Sequence, residues 1–194
     1  MAWEKLGSTT LTSSNANNDT PNFTSTKFTQ MINHTVGMSG GENPAIRVGN
    51  STIDTSSNYS TRQSDNGVAD GSSINQNAMY HNTSSISTTF LLVEYCINIS
   101  SQEKLFIHFW VNQNTAGAGT APKRQEGVGK WVNTSNQFDI MRVLTGSATQ
   151  GVDSNITALG SDAVSSWTLQ DGLIFYETDT NKEYILSNNT WTEL

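Results

Sequence analysis

Histidine and cysteine are the side chains of this chain best suited to acid–base, nucleophilic or metal chemistry, and they are few. The sequence holds three histidines, His34, His81 and His108, and one cysteine, Cys96. No histidine has a second ligand at the short spacing of a zinc site, and a single cysteine excludes an intramolecular disulfide. The strand pairing predicted below places His108 opposite Cys96, a couple that can form an activated thiolate. Because strand centres inside a sandwich are poorly accessible, we predict packing roles for both.

Two loops contain residues that in other proteins bind phosphate or calcium. The segment AGAGTAPKRQEGVGKW carries the pair Gly129-Lys130, but Trp131 follows where a phosphate-binding loop requires Ser or Thr. The segment SDNGVADG places Asp65 and Asp70 in a glycine-containing loop without the ligand order of an EF-hand. Paired carboxylates for glycoside chemistry cannot be picked out either. We therefore predict no catalytic residue, no metal site and no cofactor, and a protein that is not an enzyme.

The composition indicates that strands and turns, not helices, must position these residues. Charged residues make up 14% of the 194-residue chain, against about 25% in ordinary domains. Asn, Ser and Thr replace them, and these residues favour strands and turns over helices. The net charge of −7 argues against a nucleic-acid partner. The chain also has no basic, apolar secretory signal and no stretch near the roughly 20 apolar residues of a membrane helix, so we expect folding in a cytoplasm and no membrane insertion.

Short apolar segments recur along the chain between turn-forming stretches. Before Ser165 they suggest roughly eight to ten strands at the spacing of an antiparallel sandwich. The fold predicted for residues 1–165 is therefore an all-β, antiparallel β-sandwich that is jelly-roll-like. The least readable part is residues 51–86, where SNYSTRQS and NAMYHN are the plausible strands.

The segments TTFLLVEYCINIS and KLFIHFWVNQN predict a central hairpin, because only a loop near SSQEK separates them. A turn centred on Gln102 puts eight apolar residues on one face, in the pairs Ile99–Leu105, Ile97–Ile107, Tyr95–Phe109 and Val93–Val111. Burial of each such side chain contributes about 1.5–3 kcal/mol. We predict that this face is the buried one, since the alternative face would bury Glu94, Asn98 and His108. The alternative face also carries Phe90, Leu92, Cys96, Phe106 and Trp110, which predicts that it is partly covered as well.

The end of the chain, DGLIFYETDTNKEYILSNNTWTEL, predicts a small three-stranded β-meander within residues 166–194. A first turn centred on Thr180 and a second at Asn188 and Asn189 place five apolar side chains on one face: Ile174, Tyr176, Tyr184, Leu186 and Trp191. Three short strands are marginally stable alone. These five residues are therefore the candidate interface of a docking or oligomerisation module.

Several segments together resemble virion structural proteins of tailed phages and related, often marine, viruses. The segments are WEKLGSTTL, NPAIRVGN, SNYSTRQSDNG, INISSQEKLFIHF, NTAGAG and RQEGVGKWVNTSNQFDIMRVLTG. The closing meander resembles terminal modules of phage tail, fibre and capsid-associated chains, in which Asp171-Gly172, Asp179-Thr180, Tyr184 and Trp191 match recurrent positions. Asn188-Asn189 stands where a glycine-containing turn is usual. The resemblance implies a β-sandwich capsid-decoration, head-fibre or tail-fibre protein, and no catalytic residues come with it.

The sequence leaves three functional hypotheses. The first is a virion surface component, assembled in the host cytoplasm, that forms homo-oligomers, with a trimer favoured, and contacts other virion proteins. The second is a receptor-binding or glycan-binding module of a fibre, with aromatic and amide side chains meeting a host-surface sugar. The third is a small hydrolase of host envelope polymers, which requires a cleft that the sequence does not indicate.

Overall fold

The computed structural model describes residues 3–81, 88–162, 172–188 and 190–194. The chain divides into two compact units, Ala2–Asp162 and Ala163–Leu194. The boundary predicted after residue 165 lies within 163–171, outside the described residues. The described part of the chain contains no helix. The predicted antiparallel β-sandwich and the three-stranded C-terminal sheet are both confirmed.

One face of the sandwich is a sheet of eight antiparallel strands. These are β1 (Glu4–Thr10), β3 (Phe28–Thr35), β6 (Tyr59–Asp65), β7 (Gly71–Gln76), β9 (Phe90–Ile97), β10 (Lys104–Asn112), β11 (Lys123–Trp131) and β13 (Asn155–Ser161). Their order is β1-β13-β3-β9-β10-β11-β6-β7, so β9 and β10 occupy the centre, as predicted for the hairpin.

The opposing sheet is smaller. Its strands are β2 (Asn17–Asp19), β4 (Ala45–Asn50), β5 (Thr52–Ile53), β8 (Met79–Tyr80) and β12 (Ile140–Leu144). The order is β2-β12-β4-β5, and β8 pairs with β4. The described residues of the larger unit thus hold thirteen strands, more than the roughly eight to ten predicted. Strands of two or three residues, such as β2, β5 and β8, are too short to show an alternating pattern.

The core lies between the two sheets and includes seven buried aromatic side chains among its aliphatic and methionine residues. The rings of Phe106 and Phe138 stack with centroids 5.9 Å apart, and Phe23 meets Phe138 edge-on at 6.3 Å. Asn98 fixes Phe138 from the end of β9: its Nδ2 donates to the Phe138 carbonyl and its Oδ1 accepts from the Phe138 N–H, each at 2.9 Å. The predicted exclusion of Asn98 from the core is therefore wrong, since its amide meets backbone groups that would otherwise lack partners.

The register of the central hairpin differs from the prediction by two residues. Leu105 pairs with Ile97 instead of Ile99, and His108 pairs with Glu94 instead of Cys96. A shift of two keeps every side chain on its predicted face. The predicted choice of buried face is nevertheless wrong, because Glu94 and His108 are fully buried while their apolar neighbours along each strand face outward.

The smaller unit contains β14 (Ile174–Glu177), β15 (Lys182–Ser187) and β16 (Thr190–Glu193). Its second turn brings Leu186 opposite Trp191, as predicted. Its first turn does not follow the prediction, because Glu177 pairs with Lys182 across a four-residue loop in which Asn181 adopts a left-handed backbone (φ 53°). This loop is centred between residues 179 and 180, not on residue 180, which moves β14 by one residue and exchanges its two faces.

Candidate functional site

The outward face of the eight-stranded sheet carries a continuous apolar surface along its three central strands. We call it the outer strip and define it by nine residues: Leu91, Val93, Tyr95, Ile97, Leu105, Ile107, Phe109, Val111 and Val128. Seven of them are exposed, from Val111 at 38% to Leu105 at 56%, and Val93 and Ile97 are half-buried. The strip has no charged member, although it faces outward.

Period-two alternation produces the outer strip. Residues of β10 alternate strictly between buried and exposed along all nine positions, and β9 alternates in the same way, with two of its four outward residues exposed and two half-buried. The pairings Val93–Phe109 and Tyr95–Ile107 bring outward side chains side by side, and Val128 of β11 lies across from Ile107. The outward residues therefore form one surface, not scattered single exposures.

Polar side chains border the outer strip on the β11 side, whereas on the other side the adjacent strand β3 presents the half-buried apolar residues Phe28 and Ile32 beside Ile97 and Val93. On the β11 and β6 side the outward residues include Arg62, Arg124, Glu126 and Lys130, which mix both signs of charge. On the β13 and β1 side the outward residues are mainly hydroxyls and amides, where Ser8 and Thr157 share a hydrogen bond of 2.9 Å. An apolar centre with a polar rim is the arrangement of a protein interface.

The size of the outer strip distinguishes it from ordinary surface. Taking about 180 Å² for a fully exposed large apolar side chain, the seven exposed members present about 600 Å² at their observed exposures. Single exposed apolar residues are normal, but the largest contiguous patch of a typical monomer is about 300–600 Å² and is often functional. The strip is therefore as large as the largest apolar patches of typical monomers, which are often functional.

The inward face of the same strands contains a cluster of buried polar side chains. We call it the buried polar cluster and define it as His81, Glu94, His108 and Gln125, each at most 1% exposed. The two imidazole rings meet edge-to-face with centroids 4.4 Å apart. Gln125 Oε1 lies 3.1 Å from His81 Nδ1 and accepts a hydrogen bond from Trp110 Nε1.

Much of the hydrogen-bonding capacity of the buried polar cluster is unused. Both carboxylate oxygens of Glu94, both ring nitrogens of His108, Nε2 of His81 and Nε2 of Gln125 have no protein partner. Burial lowers the pKa of His108 to about 4 and, with help from the His108 charge, lowers that of His81 well below its ordinary value. Burial also raises the pKa of Glu94 well above its ordinary value. The cluster therefore favours neutral side chains in the folded state.

The buried polar cluster lacks the features of a catalytic or metal site. Its members lie in the core between two sheets, so a substrate has no route to them. Within residues 3–81, 88–162, 172–188 and 190–194, no group of three or more His, Cys, Asp and Glu side chains is arranged to hold a metal ion. Cys96 is buried too, and its burial raises the pKa of its thiol well above the ordinary value, which opposes thiolate formation.

The five interface residues predicted in the meander do not share one face. Phe175, not Tyr176, lies opposite Tyr184, and Ile174 lies opposite Ile185. The face predicted for Ile174 and Tyr176 is therefore wrong, and both point away from the side chains of Tyr184 and Trp191. On the face that holds Tyr184, the ring of Phe175 lies 6.2 Å from that of Tyr184 and 6.1 Å from that of Trp191.

Exposure within the meander is high on both faces. Ile174 is 64% and Phe175 52% exposed, whereas Leu186 is buried at 2%. The ion pair of Lys182 with Glu193, at 2.8 Å, lies in solvent and contributes little to stability. The aromatic trio Phe175, Tyr184 and Trp191 was missed by sequence analysis because its detection depended on the length of the first turn.

The two loops considered for ligand binding have ordinary structural roles. Gly129 and Lys130 are part of β11, and Lys130 pairs with Glu103 at 2.9 Å. Asp70 lies 3.8 Å from Arg62 in an exposed ion pair. Neither arrangement resembles a phosphate or calcium site.

Sequence analysis identified seven of the nine residues of the outer strip, all but Leu91 and Val128, but assigned them to the core. The sequence carried a signal for the outward orientation: this face of the hairpin holds only apolar residues, whereas the opposite face mixes apolar with polar residues.

Comparison of the chain with protein-family models, with curated proteins and with solved structures finds no match. In the described part of the chain, no helix has the length and apolarity to cross a membrane.

Proposed function

We propose that this protein is a structural component of a virus particle and that it works by self-association at the particle surface. The outer strip is the observation that carries the proposal, because it presents an uncharged apolar surface of interface type and size. The virion assignment rests on the resemblance of WEKLGSTTL, NPAIRVGN and the related segments to phage structural proteins.

In this function the protein contributes shape and buried surface instead of chemistry. His81, His108, the Cys96 thiol and Glu94 are enclosed in the core. The chain is synthesised and assembled in the host cytoplasm and then resides in the virion, beside copies of itself and other virion proteins. The resemblance to fibre and decoration proteins favours a trimer, whereas an apolar sheet face that packs on its own copy favours a twofold dimer, and the mass from sedimentation equilibrium distinguishes the two.

The test of this function has two parts. Sedimentation equilibrium of the full chain across a hundredfold range of concentration is expected to show an oligomer, and a chain that remains monomeric throughout would remove the basis of the proposal. Antibodies against the purified chain are expected to label intact particles from an infected culture. Labelling of the soluble lysate alone would contradict the virion assignment while leaving self-association standing.

The aromatic trio of the meander favours glycan binding as a second function. Phe175 and Trp191 are 52% and 40% exposed, and aromatic faces of this kind attract the C–H groups of sugar rings. Glycan-array binding that is lost in Trp191→Ala and kept in Ile174→Ala would support this function. Equal binding by both variants would place any glycan site elsewhere in the chain.

A further inference from the structure

We propose that the outer strip is covered by the outer strip of a second copy of this chain, packed sheet against sheet about a twofold axis. This inference rests on the proposed function, because it specifies the surface through which self-association occurs. It assigns the contact to β9, β10 and β11 of the sandwich instead of to the C-terminal meander, where sequence analysis placed it.

Size is the first reason to assign a second copy to this face. A standard protein interface buries about 800 Å² on each partner. The exposed members of the outer strip supply about 600 Å² of that area by the estimate given above, and the bordering Arg124, Glu126 and Lys130 can supply the remainder as a polar rim. A small ligand would cover only part of such a surface, whereas a second sheet covers all of it.

Charge is the second reason. The nine side chains of the outer strip are uncharged, so the centre of this face offers no charge to recognise a charged peptide, a nucleic acid or a phosphate. An identical strip has the same neutral, apolar character and the same extent, which makes the surface self-complementary. Isologous contacts of this kind are the commonest way in which soluble proteins form closed oligomers.

The arrangement of outward side chains in parallel rows is the third reason. Outward side chains of β9 and β10 stand in two parallel rows, with Leu91 and Val111 at one end and Ile97 and Leu105 at the other. Two sheets pack face to face by interleaving such rows at a separation of about 10 Å. Ile107 and Phe109 lie near the middle of these rows, so they are expected near the symmetry axis.

The first test compares two matched substitutions. Val128 lies in the outer strip and is 49% exposed, whereas Val152 lies in a turn outside it and is 46% exposed. We expect Val128→Glu to raise the dimer dissociation constant by about 10-fold or more, since each copy would carry a carboxylate into the apolar contact, even with Arg62 across the strand pair as a partner. Val152→Glu is expected to leave the dissociation constant unchanged, as measured by sedimentation equilibrium.

The outcomes of this comparison separate the inference from the proposed function. If Val128→Glu is folded by circular dichroism and remains as oligomeric as the wild type, self-association stands and the outer strip is the wrong surface. A wild-type chain that is monomeric would contradict both the proposed self-association and the assignment of its contact surface. Equal loss of association in the two variants also overturns the inference.

The second test does not depend on adding charge. The natural Cys96 is buried, so a single introduced cysteine reports contacts between copies. Ile107→Cys and Phe109→Cys are expected to give a covalent dimer with a short bismaleimide crosslinker, because residues near a twofold axis face their own copies across sheets about 10 Å apart, a gap too wide for a direct disulfide. Val152→Cys is the control expected to stay monomeric on non-reducing gels. Equal crosslinking at residue 152, or none at 107 and 109, would overturn the twofold packing.

Discussion

The two faces of the hairpin formed by β9 and β10 contrast within a few ångströms of each other. The outward face is entirely apolar and lies in solvent, whereas the inward face is mixed and lies in the core. The core side buries Phe106 and Trp110 together with Glu94 and His108. The comparison teaches that the more apolar face of a strand pair is not always the face that the monomer buries.

Neighbouring strands explain which face points inward. Gly127 of β11 lies beside His108, and a Cβ at Gly127 would collide with the His108 ring, while a Cβ at Gly129 would collide with Met79 Sδ. These glycines therefore make room for inward side chains of β10 and β8. The aromatic rings of Phe106 and Phe138 also stack on each other only when this face of β10 points inward.

The largest predicted difference between the two faces is in stability. Phe106→Ala removes a ring that is 1% exposed and stacked in the core, which should lower the free energy of unfolding by about 3–5 kcal/mol. Phe109→Ala removes a ring that is 50% exposed, and for the monomer it should cost less than about 1 kcal/mol. Urea denaturation at low protein concentration measures both. Similar costs for the two variants would contradict the assignment of inner and outer faces.

Replacing the buried carboxyl of Glu94 tests the polar residues of the inward face. Because burial raises the pKa of Glu94 above 4.5, its contribution to stability is present below pH 4.5 and lost as pH rises toward the raised value. Glu94→Gln should therefore be the more stable protein, by about 1.4 kcal/mol for each pH unit between 4.5 and that raised pKa. Glu126→Gln, at an exposed position of β11, serves as the control for the substitution itself. An E94Q advantage that is constant with pH would show that ionisation is not its cause.

Acid should weaken the fold through the histidines of the buried polar cluster. Since burial lowers the pKa of His108 from 6.5 to about 4, its contribution is complete above pH 6.5 and is lost as pH falls to about 4, a change of about 3 kcal/mol. His108→Gln should flatten the dependence of unfolding free energy on pH in that range, and His34→Gln, at an exposed position, is the control substitution. Parallel pH profiles for the wild type and H108Q would contradict the assigned protonation state.

The smallest loss of stability is expected for a substitution at Gly127, where the backbone of β11 packs against the His108 ring. Gly127→Ala introduces a Cβ against the His108 ring, so it should destabilise the fold by about 1–3 kcal/mol. Gly71→Ala, at a strand position with nothing within 4 Å of the added Cβ, should change stability little. Thermal unfolding of the two alanine variants provides the measurement. A neutral G127A would mean that the His108 ring has room to move.

Sequence patterns predicted the fold class and the position of the hairpin in the sheet, because period-two alternation and turn residues are local signals. They also grouped the outward residues of β9 and β10 correctly, since a register error of two preserves the face. The same reasoning failed for the meander, where an error of one exchanged Tyr176 for Phe175. A turn that differs by a single residue carries no clear signal in the surrounding sequence.

The amino-acid sequence by itself determined that this protein is all-β, with alternating strands and a small terminal sheet, because strand propensity and alternation are properties of short segments. Only the tertiary structure decided which face of each strand turns inward, because that choice depends on side chains far apart in sequence, such as His81 beside His108 and Phe138 beside Phe106. The uncovered outer strip is the result of that choice, since two sheets can bury only the faces they turn toward each other.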